Sequence, residues 1–276
     1  MKEFITKTIL FNSILILIFI AFLSVRFFYI NTISWKLSEE KHIVFMGASH
    51  IERGINTDEY NSAINLASSS ERYMFSYLKL KKLINDNPQI DTLFLEFAPT
   101  DIQKNTDSKY FQKNEMTHFI PLYSPYFSKE EWNIYSNYKM DILLTLFQNL
   151  TSNLPFELSD FGGYKVNEGF FDRNKEPYPN RQWLEVGNYI NYSYLDKIVK
   201  TCQKNNIELL FLYMPMYNKD YYYDTNYFYK IYIEKFSNIP FLDYSDWDCP
   251  DTYRKDEHHL NKKGAIEFTK QLFENL

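Results

Sequence analysis

Two short stretches of this 276-residue chain carry side chains that together could catalyse acyl transfer. The first is Gly47–Ser49, directly after the apolar run Ile43–Met46. The second holds Asp256 and His259, which are three positions apart. A serine hydroxyl becomes a nucleophile when an imidazole takes its proton and a carboxylate orients that imidazole. The chain supplies these groups in the order Ser49, Asp256, His259.

The position of Ser49 relative to a strand favours this interpretation. Four consecutive apolar residues before Gly47 are typical of a strand buried on both faces of a parallel sheet. Gly47 permits a tight turn that a side chain would block. Ser49 then falls just past the strand end, where open α/β sheets place their ligand crevice. We expect the Ser49 N–H to be one donor to an oxyanion.

Other residues could fill two of the three roles. His258 is the rival base, and Asp243 or Asp246 could orient the imidazole instead of Asp256. Each stretch alone also has a simpler interpretation, as a plain turn and as a helix cap beside a surface histidine. Their occurrence in one chain, in matching order, favours a catalytic site with His259 as the base.

The two stretches resemble the first and last conserved blocks of the SGNH (GDSL-like) hydrolases. The matching residues are Gly47-x-Ser49 and Asp256-x-x-His259-Leu260-Asn261-x-x-Gly264. The form Gly-Ala-Ser-His behind an N-terminal apolar segment is similar to a membrane-anchored branch. That branch includes the D-alanyl-transfer protein of teichoic acids and the alginate O-acetyltransferases. The resemblance covers about residues 41–276, with only the two end blocks specific.

The resemblance also implies positions for oxyanion and substrate contacts. The family's second block supplies a glycine N–H, and Ala67 or Ser68 occupies that place here. The asparagine of the third block is missing, and Thr100 is the nearest polar substitute. Loss of one oxyanion donor can slow a reaction by on the order of 100- to 1,000-fold. His50 could line the pocket.

Hydrophobic patterning predicts the elements that must position these groups. Apolar runs predict four further strands, at Ala63–Leu66, Thr92–Phe97, Ile207–Tyr213 and Ile239–Leu242. Helices are predicted over about 71–85 with Ser70 as the cap, and over about 130–150, 194–206, 223–236 and 261–273. This alternation predicts an α/β fold, a three-layer sandwich with a mostly parallel five-stranded sheet. The resemblance implies the SGNH or flavodoxin-like form of it.

The N-terminal part of the chain predicts a membrane anchor. Residues 9–30 form an apolar run of about 22 residues, about 33 Å as a helix, which can cross a bilayer. Arg26 could snorkel to the membrane surface. No Ala-x-Ala cleavage site follows, so we expect one uncleaved transmembrane helix. Residues 1–8 would be a cytoplasmic tail, 31–40 a tether and 41–276 an extracytoplasmic SGNH-like domain. Residues 102–185 are interpreted as an insertion that covers the crevice or only decorates it.

Composition and motifs argue against several other classes of protein. The net charge is −5 and no basic aromatic patch stands out, so no nucleic acid is expected as a partner. No glycine-rich dinucleotide fingerprint follows a strand, and no P-loop is present. The two cysteines, Cys202 and Cys249, lack zinc-ligand neighbours. We expect no metal or cofactor, and favour unpaired thiols while leaving a disulfide open.

The sequence therefore predicts a serine esterase or O-acyltransferase that acts on acyl esters of a cell-envelope polysaccharide through an acyl-serine intermediate. The bilayer would hold the N-terminal helix. The resemblance further implies a multi-span membrane O-acyltransferase as a partner. The alternative is a non-catalytic envelope protein that binds glycan or scaffolds an assembly, which the missing third-block asparagine motivates. Hydrolase or transferase, acyl group and glycan all stay open at this point.

Overall fold

The structure, a computed structural model, describes residues 1–102, 106–150, 154–172, 189–217 and 225–276. It divides into two compact units. The smaller comprises residues 1–34 and 111–158, and the larger comprises residues 35–110 and 159–276. Residues 103–105, 151–153 and 173–185 of the predicted insertion, and the predicted start of a helix at Tyr223, lie outside the described residues.

The larger unit is built on one parallel sheet. Its strands are Ile43–Met46 (β1), Ala63–Asn65 (β2), Thr92–Glu96 (β3), Glu208–Tyr213 (β4) and Phe241–Asp243 (β5). Their order is β2-β1-β3-β4-β5, and every neighbouring pair is parallel. This is the flavodoxin-like order. Strands are added to one side of β1 and then to the other, and ligands bind at this switch point between β1 and β3. The predicted α/β fold class is confirmed, and the sheet is wholly parallel.

Eleven helices are found in the described residues. They are Lys2–Thr32 (α1), Ser49–Gly54 (α2), Tyr73–Asp86 (α3), Pro99–Ile102 (α4), Thr106–Lys109 (α5), Lys113–Tyr123 (α6), Lys129–Ile134 (α7), Lys139–Gln148 (α8), Tyr189–Lys204 (α9), Thr225–Ile231 (α10) and Lys262–Glu274 (α11). A π-helical turn, Tyr232–Phe236, continues α10. Short 3-10 turns lie at Ser124–Tyr126, Ser136–Tyr138, Leu158–Phe161 and Asp251–Tyr253.

Helices cover both faces of the sheet. On one face α2 and α11 pack together, and Phe268 and Leu272 of α11 join Phe45 and Phe94 in one buried cluster. The Phe45 and Phe94 rings stack with centroids 4.7 Å apart. Successive strand residues point to opposite faces, so the alternate positions of β1 and β3 lie towards the other layer. There α3 packs against α9.

Three local predictions are wrong in instructive ways. Ser70 does not cap α3, because it occupies a left-handed turn (φ 64°) and the helix begins only at Tyr73. The helix predicted over about 130–150 is divided by the turn Ser136–Tyr138, where serine and asparagine compete with helical hydrogen bonding. β5 begins after Pro240, whose missing N–H cannot join the ladder, and not at Ile239.

The smaller unit is formed by α1 and the helices α6 to α8. α1 is long and apolar enough to cross a membrane, by length and composition. Arg26 of α1 is 2% exposed and donates to the Asn149 carbonyl at 2.6 Å and to the Pro121 carbonyl at 3.4 Å. Its guanidinium is therefore held by backbone oxygens and does not snorkel as predicted. The Tyr126 hydroxyl donates to the Ile30 carbonyl at 3.0 Å.

A buried ion pair joins the loop before α3 to the middle of that helix in the larger unit. Lys79 Nζ lies 2.6 Å from Glu71 Oε2, and neither side chain is exposed. Lys79 also donates to the Leu66 carbonyl, and Ser76 Oγ donates to Glu71 Oε1 at 2.7 Å. Burial raises the pKa of Glu71 and lowers that of Lys79, which shows the cost of placing these charges inside the protein.

Removal of the lysine alone should destabilise the protein strongly. In Lys79→Met the Glu71 carboxyl loses its ion-pair partner, and breaking a buried pair costs about 3–5 kcal/mol. Thermal unfolding of the detergent-solubilised full chain measures the loss. The double variant Lys79→Met with Glu71→Gln removes the buried charge as well and should recover much of the stability. A single variant as stable as the wild type would contradict this account of the pair.

Candidate active site

The structure brings Ser49, His259 and Asp256 into one hydrogen-bonded chain. His259 Nε2 lies 2.9 Å from Ser49 Oγ. On the other side of the ring, His259 Nδ1 lies 2.9 Å from Asp256 Oδ1 and 3.1 Å from Oδ2. A proton on Nδ1 satisfies the carboxylate, so Nε2 is left as the acceptor for the serine hydroxyl. This is the arrangement needed to activate a serine.

The Asp256 carboxylate is held by the backbone of its own loop. Besides the imidazole, the N–H groups of His258 and His259 donate to Oδ1 at 2.8 and 2.9 Å. Burial opposes ionisation, but these hydrogen bonds and the charge of His259 outweigh it and lower the pKa of Asp256 to about 2. The carboxylate is therefore charged at neutral pH and able to stabilise an imidazolium.

Asn261 and Gly264 fix the loop that carries the histidine. Asn261 is the N-cap of α11, and its side chain accepts from the Gly264 N–H at 3.0 Å. Its amide donates to the carbonyls of Thr252 at 2.8 Å and Gly169 at 3.0 Å. A Cβ at Gly264 would lie 2.1 Å from the Tyr253 carbonyl oxygen. Glycine at this position thus permits the close approach of α11 to the Tyr253 carbonyl.

Ser49 is the first residue of α2, presented by the turn after β1. Gly47 has φ +156°, and a Cβ there would lie 2.4 Å from the Cβ of Glu96. The Ala48 N–H donates to Glu96 Oε2 at 2.5 Å. From the other side Asn65, at the end of β2, donates to the carbonyls of Ile51 at 2.9 Å and Ile55 at 2.8 Å. Two neighbouring strands therefore hold the serine turn.

Residues 162–171 form a strap that links the separate parts of the site, whereas the sequence indicated only that they belong to an insertion that covers or decorates the crevice. The N–H of Gly163 donates to the Ala67 carbonyl and that of Lys165 to the Glu52 carbonyl, both at 2.9 Å. Further along the strap, the Phe171 N–H donates to the Arg254 carbonyl at 2.9 Å. The strap therefore ties the end of β2, the serine helix and the histidine loop together.

A second imidazole–carboxylate pair lies beside the first. His50 Nδ1 is 2.5 Å from Glu96 Oε1, and the His50 ring stacks on that of His259 with centroids 5.4 Å apart. The Glu96 side chain is 2% exposed and that of His50 11%. Burial lowers the pKa of His50, but Glu96, helped by Asp101 and Asp256, raises it above the usual value.

Glu96 and Asp101 were missed in the sequence. Glu96 is the last residue of β3, and Asp101 lies in α4 just beyond it. The sequence signal for both was their position at or just beyond the end of a central strand, where the crevice lies. Burial, with the charge of Glu96, raises the pKa of Asp101 to about 7, against the opposing effects of Arg72, the Ala98 N–H and His50. Asp101 thus titrates near neutrality.

The backbone N–H groups predicted to bind an oxyanion, those of Ala67 and Ser68, already donate to other groups of the protein. The Ala67 N–H donates to Asn65 Oδ1 at 2.9 Å, and the Ser68 N–H donates to the Gly47 carbonyl at 3.0 Å. Both donors hold β2 against the serine turn, so neither N–H is available to an oxyanion in this structure. The Ser49 N–H, in the first turn of α2, has no acceptor among the described residues. Thr100 is half-buried in α4, and its carbonyl accepts from Thr106 Oγ1 at 2.8 Å.

The rival residues are placed elsewhere. His258 contacts Asp256 through its backbone, while the Ser49 hydroxyl meets His259. Asp243 accepts from the Tyr229 hydroxyl at 2.5 Å and from Ser245 Oγ at 2.6 Å. Asp246 is exposed beyond β5. In the part of the chain that the structure describes, no cluster of three or more histidine, cysteine or acidic side chains fits a metal ion. Cys202 and Cys249 are free thiols.

Asp101 should make the stability of the protein depend on pH. Its folded pKa of about 7 lies above the ordinary value of 3.8, so the folded protein holds a proton that the unfolded chain releases. Stability should therefore fall as pH rises from about 4 to about 7 and level off above that. Asp101→Asn removes this contribution and should reduce the loss of Tm between pH 4.5 and pH 8.

The matched control is Asp58→Asn, which changes an exposed carboxylate outside the site. Its Tm should follow the wild-type dependence on pH. An Asp101→Asn profile that coincides with the wild-type profile would contradict the assignment of Asp101 as the titrating group.

No known protein family and no curated protein matches the chain. Solved structures do resemble it. A Bacteroides fragilis protein described as an acylhydrolase matches at 12% identity and a TM-score of 0.41, over 89% of this chain and 90% of that one. A GDSL-like lipase from Bacteroides thetaiotaomicron matches at 10% identity and a TM-score of 0.41, over 89% and 92%. The fold assignment rests on the strand order, and the chemistry of the site on its own geometry.

Proposed function

We propose that the protein is a serine esterase or O-acyltransferase that acts on acyl esters of a cell-envelope polysaccharide. The observation that carries the proposal is the hydrogen-bonded chain in which His259 contacts Ser49 Oγ at 2.9 Å and Asp256 at 2.9 Å. The side chains of Ser49 and His259 are partly exposed, so a substrate can reach them. Esters suit this site because acyl transfer needs a nucleophile, a base and an oxyanion donor.

The reaction follows from the position of each proton. Ser49 Oγ attacks the ester carbonyl carbon while its proton passes to His259 Nε2. The imidazolium so formed is stabilised by the charged Asp256 carboxylate. His259 then returns the proton to the departing alcohol oxygen as the C–O bond breaks, which leaves an acyl-serine. Water or a sugar hydroxyl gives its proton to His259 and attacks the acyl carbon. His259 then returns that proton to Ser49 Oγ as the bond between Oγ and the acyl carbon breaks.

Two donors are proposed for the negative oxygen of the intermediate. The first is the Ser49 N–H, in the first turn of α2. The second is His50, because Glu96 occupies Nδ1 and leaves Nε2 to face a substrate. The raised pKa of His50 favours the protonated ring, which donates from both nitrogens. His50 would then act in place of the missing third-block asparagine, with Thr100 as a further polar group at the same edge.

The cell-envelope substrate is proposed from the N-terminal helix. α1 is long and apolar enough to cross a membrane. We propose that it anchors the larger unit outside the cytoplasm, where surface glycans are assembled. The sequence resemblance to the teichoic acid and alginate branch supports an envelope polysaccharide as the substrate. It also supports a multi-span membrane O-acyltransferase as the partner that delivers the acyl group.

Covalent labelling of the serine tests this proposal. A membrane-impermeant fluorophosphonate applied to intact expressing cells should label the wild-type protein and not Ser49→Ala. Asp256→Asn keeps the serine but loses the oriented imidazole, so turnover of a chromogenic acetyl ester should fall by on the order of 1,000- to 10,000-fold. Labelling that occurs only after cell lysis would contradict the proposed extracytoplasmic location of the site but not its chemistry. Equal turnover by wild type and Ser49→Ala, or none in both, would favour the non-catalytic scaffold.

The role of His50 has its own test. His50→Gln removes a charged donor, so kcat on the acetyl ester should fall by on the order of 100-fold, since one oxyanion donor is worth that much. The control is His42→Gln, which changes an exposed histidine paired with Asp91 at 3.3 Å before β1. The control should keep full activity. An unchanged kcat in His50→Gln would remove His50 from the site.

A further inference from the structure

Helix α8 in the smaller unit has two apolar faces, of which one is uncovered. Ile142 and Leu146 on one side are buried. On the other side Met140, Leu143, Leu144 and Phe147 are 43–68% exposed. Their spacing of i, i+3, i+4 and i+7 makes one continuous stripe along the helix. We call these four residues the α8 stripe. A contiguous exposed apolar surface marks contact with a partner or a membrane.

One end of the α8 stripe contacts helix α1. The ring of Phe147, at the end of the α8 stripe, lies 5.8 Å from the ring of Phe19 in α1. Arg26 of α1 donates to the Asn149 carbonyl just beyond α8 at 2.6 Å. The partly covered or buried positions of α1 all lie in its C-terminal half, at Phe19, Leu23, Arg26, Phe27, Tyr29 and Ile30. α8 and its neighbours therefore cover the C-terminal half of α1.

The length of the fully exposed part of α1 constrains where α8 lies relative to a bilayer that α1 crosses. From Ile9 to Ile18 the helix is exposed on all sides, and these residues are about 15 Å long at a rise of about 1.5 Å per residue. A hydrocarbon core is about 30 Å thick, so this part fills only about half of it. The rest of the core must be crossed by residues from Phe19 onwards, where α8 packs against α1. A membrane that contains α1 therefore also contains part of α8.

The polar groups at this contact are compatible with a non-aqueous surrounding. Arg26 is 2% exposed and its guanidinium donates to the carbonyls of Asn149 and Pro121. Arginine inside a membrane is tolerated where it faces protein and pairs with backbone carbonyls. The α8 stripe itself contains no polar side chain, whereas Lys139 and Asp141 lie at the start of the helix.

We propose that the α8 stripe is embedded among lipid acyl chains, in the half of the bilayer that the C-terminal half of α1 crosses. The proposal rests on α1 being a membrane span and is independent of the chemistry at Ser49. Lipid is the occupant because the stripe is continuous with the exposed apolar surface of α1. The protein would thus be held in the membrane by a helix pair and not by a single helix on a flexible tether.

Site-directed fluorescence in lipid nanodiscs tests the proposal with the full chain. An environment-sensitive nitrobenzoxadiazole (NBD) probe is attached at Leu144→Cys in a Cys249→Ser background. Cys202 can remain, because it is buried and burial raises the pKa of its thiol to about 12. The matched probe sites are Ile14→Cys, exposed on α1, and Ile233→Cys, an exposed apolar position of the larger unit. Circular dichroism checks that each labelled protein is folded.

We expect the probe at Leu144 to emit at shorter wavelength, to be quenched by doxyl-labelled lipid as the Ile14 probe is, and to resist aqueous iodide. The Ile233 probe should show the opposite pattern. A Leu144 probe that behaves like the Ile233 probe, with Ile14 in lipid, would overturn the proposal while leaving α1 as an anchor. Protection from both quenchers would show a protein covering the stripe and also overturn it. Iodide quenching at both Leu144 and Ile14 would remove the membrane span and the proposal together, without affecting esterase activity.

Discussion

A single hydrogen bond between residues 210 positions apart is the contact that the catalytic proposal depends on. Ser49 Oγ and His259 Nε2 lie 2.9 Å apart only because β1 and the loop before α11 end at the same edge of the sheet. A shift of about 1 Å between reacting groups can cost on the order of 100-fold in rate. The contacts around the pair are of the kind that prevent such a shift. Asn65 and Glu96 hold the serine turn from the two flanking strands, and Asn261 holds the histidine loop.

The electrostatics of the site come from pairing two imidazoles with separate carboxylates. His259 has Asp256, and the stacked His50 has Glu96 with Asp101 nearby. If both stacked imidazoles were positively charged they would repel each other, and the carboxylates offset that repulsion. The raised pKa of Asp101 is the cost of concentrating negative charge in a buried place. Such a cost is typical of functional sites, where charged groups are held close together at the expense of stability.

The two compact units use the same physical solution for buried charge. In the larger unit Lys79 is neutralised by Glu71 and donates to the Leu66 carbonyl. In the smaller unit the guanidinium of Arg26 donates to two backbone carbonyls. In each case a backbone oxygen at the end of an element accepts the charged donor. Charged groups with hydrogen-bonding partners can be buried where isolated ones cannot.

The fold class, all five strand positions to within two residues and the three candidate catalytic residues could be predicted from the sequence alone. Apolar runs predict strands because a strand buried on both faces needs them, and the Gly47–Ser49 and Asp256–His259 spacings are local properties of the chain. Two questions that the sequence left open were answered by the three-dimensional contacts. One was which imidazole meets the serine, since His258 and His259 differ by a single position. The other was whether Ala67 and Ser68 offer free N–H groups, and both donors turned out to be taken by Asn65 and Gly47. Glu96, Asp101 and the strap of residues 162–171 were recognisable only in three dimensions. Their partners are distant in the chain, and no local pattern encodes which long-range hydrogen bonds will form.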